Sequence, residues 1–175
     1  MILLNKMEIK STLTSKAGKV FETTYIENQD PYADLGTKKF QGIHAFCFCG
    51  GKLVLVLHNK SGWVPPGGHI EKNERYEDTV VREVKEETNM KVLHQELIGF
   101  LDVAETDRTV RQTRSFCIVE PYGDFVADED AEGDISEIKL IDPKDYKQYF
   151  DWGEIGDRIM HRAMELYQKY EAGTK

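Results

Sequence analysis

The chain has 175 residues, 40% of them hydrophobic and 31% charged, with a net charge of −8 at pH 7. That length carries one domain with a substantial core, and the acidic balance excludes a non-specific nucleic-acid binder, which needs a basic face. The odd cysteine count (Cys47, Cys49, Cys117) argues against a disulfide framework.

The opening Met-Ile-Leu-Leu-Asn-Lys has too short an apolar run for a secretory signal. No stretch approaches the roughly 20 apolar residues that span a bilayer. The expectation is a reduced, cytoplasmic protein with no membrane partner.

In chain order, 7–14 and 20–25 read as two strands around a turn-rich gap, a hairpin that leads the domain. Residues 29–36 read as a loop. The leading segment, 1–38, has three open roles: extending a sheet, covering a site, or pairing with a second copy in a homodimer.

Two apolar strands follow, 42–49 and 52–58, joined by Gly50-Gly51 as a tight hairpin. Their near-continuous apolar character fits a central sheet buried on both faces. His44, Cys47, Cys49 and His58 are zinc-ligating residue types, but the paired spacing of a zinc site is absent, and free cysteines on a core strand behave as small hydrophobes.

Residues 63–68, Trp-Val-Pro-Pro-Gly-Gly, read as a loop that lets backbone approach a ligand closely. A helix is expected next, with Asn73 as its N-cap. Tyr76, Val80 and Val84 form its apolar stripe, while Glu83, Glu86 and Glu87 share another face. Such a run is either a solvated helix face or a site for a hard divalent cation with oxygen ligands.

Strands are then expected at 92–103 (interrupted by Gly99), 113–120 and 135–141. Arg108, Arg111 and Arg114 are each open to phosphate binding or to an ordinary surface role. An acidic loop spans 124–134. The last helix carries Trp152, Ile155, Ile159, Ala163, Leu166 and Tyr170 on one stripe, with Asp151 and Glu154 as a capping-box variant.

The spacing from Gly68 to Met90 resembles the Nudix box, G-x5-E-x7-R-E-U-x-E-E-x-G-U with U apolar. Gly68, Glu74, Arg82, Glu83, Glu86 and Glu87 match by identity, and Val84 and Met90 fill the apolar positions. At roughly 7% per residue type, such a match arises by chance on the order of once in ten million start positions. Asn89 stands where the family has Gly. The need there is a left-handed helix C-cap, for which Asn is the next choice after Gly.

The resemblance implies an α/β fold, a Nudix-like α/β/α sandwich around a mixed β-sheet, over a domain of 39–175. It implies hydrolysis of the pyrophosphate of a nucleoside diphosphate linked to another moiety, with Mg²⁺ or Mn²⁺. By position, Glu83, Glu86 and Glu87 look like the metal-binding carboxylates, with a carbonyl of Gly67 or Gly68 as a further ligand. Arg82 would hold a box glutamate, and Glu74 matches the family's first box glutamate.

For the general base, Glu83 is the first choice. Glu137 and Glu132 are rivals, and Glu137 is also a candidate metal ligand. The competing function is a non-catalytic nucleotide-sensing domain; the intact glutamate set favours the enzyme.

Overall fold

The structure, a computed structural model, describes residues 6–15, 17–127 and 134–174. A mixed sheet runs in the order β1-β2-β7-β8-β3-β4-β5, with β6 paired to β3 and β9 to β4. Its strands are β1 (Met7–Thr14), β2 (Val20–Glu27), β3 (Lys39–Cys49), β4 (Lys52–His58), β5 (Gly62–Val64), β6 (Gly67–His69), β7 (Met90–Ala104), β8 (Thr109–Pro121) and β9 (Ile135–Ile141). Only the β3–β8 pairing is parallel among the described residues.

Helix α1 (Tyr76–Thr88) covers one face and α2 (Gly153–Gly173) the other. Strand alternation on β3 divides the core between them. Ile43, Ala45 and Cys47 pack with Val80 and Val84 of α1. Phe46 and Phe48 pack with Ile159, Ala163 and Leu166 of α2. Among the described residues no helix is long and apolar enough to cross a membrane.

The expected N-terminal hairpin is present, and it extends the sheet: β2 pairs with β7 from Glu22↔Ala104 to Ile26↔Phe100. Gly50 and Gly51, at φ 53° and 79°, make the two-residue turn between β3 and β4. Those strands pair only at Phe48↔Leu53 and Cys49↔Lys52 before they part. The short β6 fills the opening through Gly42↔His69, Ile43↔Gly68 and His44↔Gly67. This split delivers the glycine pair to the middle of the sheet, where sequence reading placed a loop.

Local expectations are corrected elsewhere. Asn73 is not the cap of α1. It lies in the preceding loop at φ 67°, and Arg75 takes the N-cap position without a side-chain bond. The capping box of α2 is also absent: Trp152 is the N-cap, and the Asp151 carboxylate accepts from the Gly153 N–H at 2.9 Å. Strand β7 runs through Gly99, with irregularities at Val92/His94 and Leu97/Gly99. A side chain at Gly99 would meet the Ile26 carbonyl at 2.6 Å, so close packing explains that glycine. Asn89 closes α1 as expected, in the left-handed region at φ 53° and ψ 38°.

Candidate active site

Helix α1 projects Glu83 and Glu87, one turn apart, against the Gly67–Gly68 strand. The Gly67 N–H donates to Glu87 Oε2 at 2.9 Å. A Cβ on Gly68 would fall 2.1 Å from Glu83 Oε1, so the glycine makes room for that carboxylate.

The β3–β6 ladder decides which carbonyl is free. Ala45 N–H donates to Pro66 and Ile70 N–H to Gln41. Antiparallel alternation then makes Ile43–Gly68 the hydrogen-bonded pair between them, and turns the polar groups of Gly67 and His69 outward. Of the two glycine carbonyls weighed from sequence, Gly67 is the one left available to a ligand.

Arg82 ties the site together. Its Nε and Nη2 donate to both oxygens of Glu74, each at 2.9 Å, a bidentate pair. Nη2 also donates to the His69 carbonyl at 3.0 Å, and Nη1 to Glu83 at 2.7 Å and Glu86 at 3.3 Å. The Arg82 bonds come first in drawing the Glu74 carboxyl down to about 2, and the Glu71 N–H and Thr79 hydroxyl assist. Glu74 therefore anchors the arginine beside α1.

Glu83 and Glu87 feel the opposite balance. Burial raises both, against Arg82 at Glu83 and against the Gly67 N–H at Glu87; Glu87 is pushed up to about 8, with Glu83, Glu86 and Asp134 adding to the rise. Glu86 points outward with a side chain 58% exposed. Among the described residues no group of three or more His, Cys, Asp or Glu side chains is gathered closely enough to hold a metal ion by itself. The donor chemistry nevertheless fits a hard cation: two desolvated carboxylates whose charge is under-compensated, a third on the adjacent turn, and an outward carbonyl.

Glu83, Glu87 and Gly67 line a cavity of about 850 Å³ between the sheet and α2. Its wall includes His44, His58, Gln112, Arg114, Trp152 and Ile159. Ser11, Thr12 and Leu13 of β1 also line it, so the leading hairpin both extends the sheet and walls the cavity.

Glu137 is exposed on β9 opposite Leu57 and is not among the residues that wall the cavity. Asp134, three residues earlier, lines the cavity instead. Glu132 lies outside the described residues. His44 and Cys47 face opposite sides of the sheet, so the zinc set does not assemble.

The three arginines separate clearly. Arg108 is at the surface with Glu105. Arg111 is 1% exposed and spent on Asp102 and the Pro31 and Ala33 carbonyls. Arg114 is buried and lines the cavity. Sequence reading assigned Trp152 to a core stripe and missed Gln112 and Asp134. Their convergence is long-range, and no local spacing signals it.

The family model described as NUDIX domain matches residues 39–163. YtkD of Bacillus subtilis strain 168, provisionally named an 8-oxo-dGTP diphosphatase, is 32% identical over 78 residues. That match covers 45% of this chain and 49% of YtkD, so the chain spans about half the length of this relative. The crystal structure of the Bacillus subtilis pyrophosphohydrolase BsRppH superposes with a TM-score of 0.59 at 20% identity, covering 75% of this chain and 77% of that one. The domain of Shewanella oneidensis NrtR complexed with ADP ribose gives a TM-score of 0.57 at 19% identity, covering 80% and 94%. At these identities the two structures establish a shared fold.

Proposed function

The chain belongs to the NUDIX family, and from that premise we propose that it is a divalent-metal-dependent pyrophosphohydrolase acting on a nucleoside diphosphate linked to a further group. One observation carries the reading: Glu83 and Glu87 are desolvated against the Gly67–Gly68 strand at the edge of a cavity sized for a nucleotide. A helix that only presented charge to water would leave these carboxylates exposed.

Glu83, Glu86, Glu87 and the Gly67 carbonyl would hold the cation, with Mg²⁺ or Mn²⁺ the expected ions. When bound, a divalent cation supplies neutralisation of the pyrophosphate and a lowered pKa for water. The protein's own part is positioning. Arg82, fixed by Glu74 and the His69 carbonyl, holds Glu83 at the inner end of the site. Glu83 is the group assigned to take the proton of the attacking water. Its raised pKa, caused first by burial, moves it toward the range in which a carboxylate accepts protons efficiently.

The fit to YtkD, by its name, and the ADP-ribose complex of NrtR both place nucleotides among the ligands of related chains. For this protein the supported class is the shared one, a nucleotide bearing a pyrophosphate. Glu86→Gln and Glu87→Gln are expected to lose at least about 100-fold in turnover while remaining folded, a loss typical of charge-stabilising groups at the reaction centre. The check is steady-state turnover beside circular dichroism. Near-normal turnover in either folded variant would remove the assignment.

A further inference from the structure

The hydrolytic chemistry leaves Arg114 unused. Alternation on β8 sends Gln112, Arg114 and Phe116 toward α2, whereas Arg111 and Cys117 face the α1 side. Arg114 is 5% exposed and lines the cavity. Its Nη1 donates to the Thr113 carbonyl at 3.0 Å and its Nη2 to Gln112 Oε1 at 3.2 Å. Its Nε has no hydrogen-bond partner among the described residues. Trp152 packs nearby, its ring centroid 5.8 Å from the guanidinium carbon.

The contrast with Arg111 is informative. Both arginines are buried in the same strand, but Arg111 has the Asp102 carboxylate in a two-pronged pair. Arg114 has only neutral partners among the described residues. Burial lowers its pKa to about 10, which leaves it charged at neutral pH. His44, in the same wall, is held neutral by burial and by Arg114. The cavity thus carries carboxylates at its edge and an uncompensated cation within.

A buried full charge without a counter-charge is costly to the fold. A neutral ligand would leave it uncompensated, whereas an anion would complete it. The donors are also held ready. Gln112 accepts from Arg114 and donates to Gln41 at 2.6 Å, which fixes the amide that orients the guanidinium.

Building on the hydrolase reading of this cavity, we propose that Arg114 is an anion-recognition residue whose guanidinium binds a phosphate group of the nucleotide. It is a binding and specificity residue, separate from the carboxylate cluster on α1.

The test is calorimetric binding in excess chelator, where no turnover occurs. Probes are inorganic pyrophosphate, ADP and dGDP, with adenosine and deoxyguanosine as uncharged controls. Proteins are the full chain, Arg114→Met, Arg114→Lys and Glu86→Gln. Arg114→Met is expected to weaken the phosphorylated probes by about 10- to 150-fold, the range of one hydrogen bond to a charged group. Nucleoside affinity should not change, Arg114→Lys should retain part of the binding, and Glu86→Gln should bind like wild type or better. The melting temperature of Arg114→Met should equal or exceed that of wild type, because an unpaired buried charge has been removed.

Wild-type affinity for the diphosphates in Arg114→Met would overturn the proposal, as would no binding of any phosphorylated probe by wild type. An equal loss of nucleoside binding would also overturn it and assign Arg114 to the base. Absence of hydrolysis with metal present would refute the hydrolase reading alone, because these affinities are measured without turnover.

Discussion

At Glu87, burial and the neighbouring Glu83, Glu86 and Asp134 hold the carboxyl at about 8, against a usual value of 4.5. The folded protein therefore keeps a proton there that the unfolded chain has released. Between those values the folded state binds more protons, so stability falls as pH rises through the window. His44, lowered by burial, slopes the opposite way below 6.5, so the difference between wild type and a variant isolates the glutamate. In chelator, wild type should lose melting temperature relative to Glu87→Gln from pH 4.5 to pH 8. Added divalent cation should shrink that loss. Parallel melting curves for the two proteins across the range would show that Glu87 is not under this strain. Most of the residues involved were legible in sequence, because the spacing from Gly68 to Met90 specifies them one by one. Gln112 was missed because strand register, set by distant partners, decides which side chains reach the cavity.

At the scale of elements, the β6 strand and α1 form one device, and the two glycines of β6 serve different ends. A Cβ on Gly67 would strike the Ile43 carbonyl at 2.4 Å, a backbone atom that cannot yield without disturbing β3. A Cβ on Gly68 would strike the Glu83 carboxylate, the end of a side chain that can swing away. Gly67→Ala should therefore destabilise the fold by about 1–3 kcal/mol, the usual cost of overpacking. Gly68→Ala should melt near wild type but lose most turnover through displaced Glu83. Denaturant unfolding and turnover, measured on both, separate the two. Equal effects on stability would sink the distinction. The α1 stripe and the Asn89 cap were readable from periodicity and residue chemistry. The entry to α1 was not, since Asn73 has the chemistry of a cap but sits two residues too early at a positive φ.

Across the whole molecule, the leading segment is part of the architecture rather than an appendage. Tyr25 and Ile26 of β2 are buried, and Glu27, 1% exposed, takes both bonds of a fork from Arg158 on α2 at 2.7 and 2.6 Å. The ion pair couples the N-terminal hairpin to the last helix across the domain. Arg158→Ala should cost about 3–5 kcal/mol, because it strands a buried carboxylate. A loss below 1 kcal/mol in chemical denaturation would mean that the pair is dispensable. We extend the proposed domain unit to include the hairpin, although the family match begins at residue 39. The sandwich itself was foreseeable from the resemblance of Gly68 to Met90 to the family box, which implies the fold. The hairpin's role was not, because pairing of β2 with β7 joins segments some 80 residues apart, and only the folded sheet reveals it. The central claim is metal-dependent hydrolysis of a nucleotide pyrophosphate. Its most direct test is product release from a panel of triphosphates, oxidised triphosphates, nucleotide sugars, ADP-ribose and dinucleoside polyphosphates, run with Mg²⁺ and again with excess chelator. The account predicts turnover of at least one class with Mg²⁺, abolished by chelator and restored by added Mg²⁺ or Mn²⁺. Turnover that persists in chelator, or binding across the panel with no product, would contradict it.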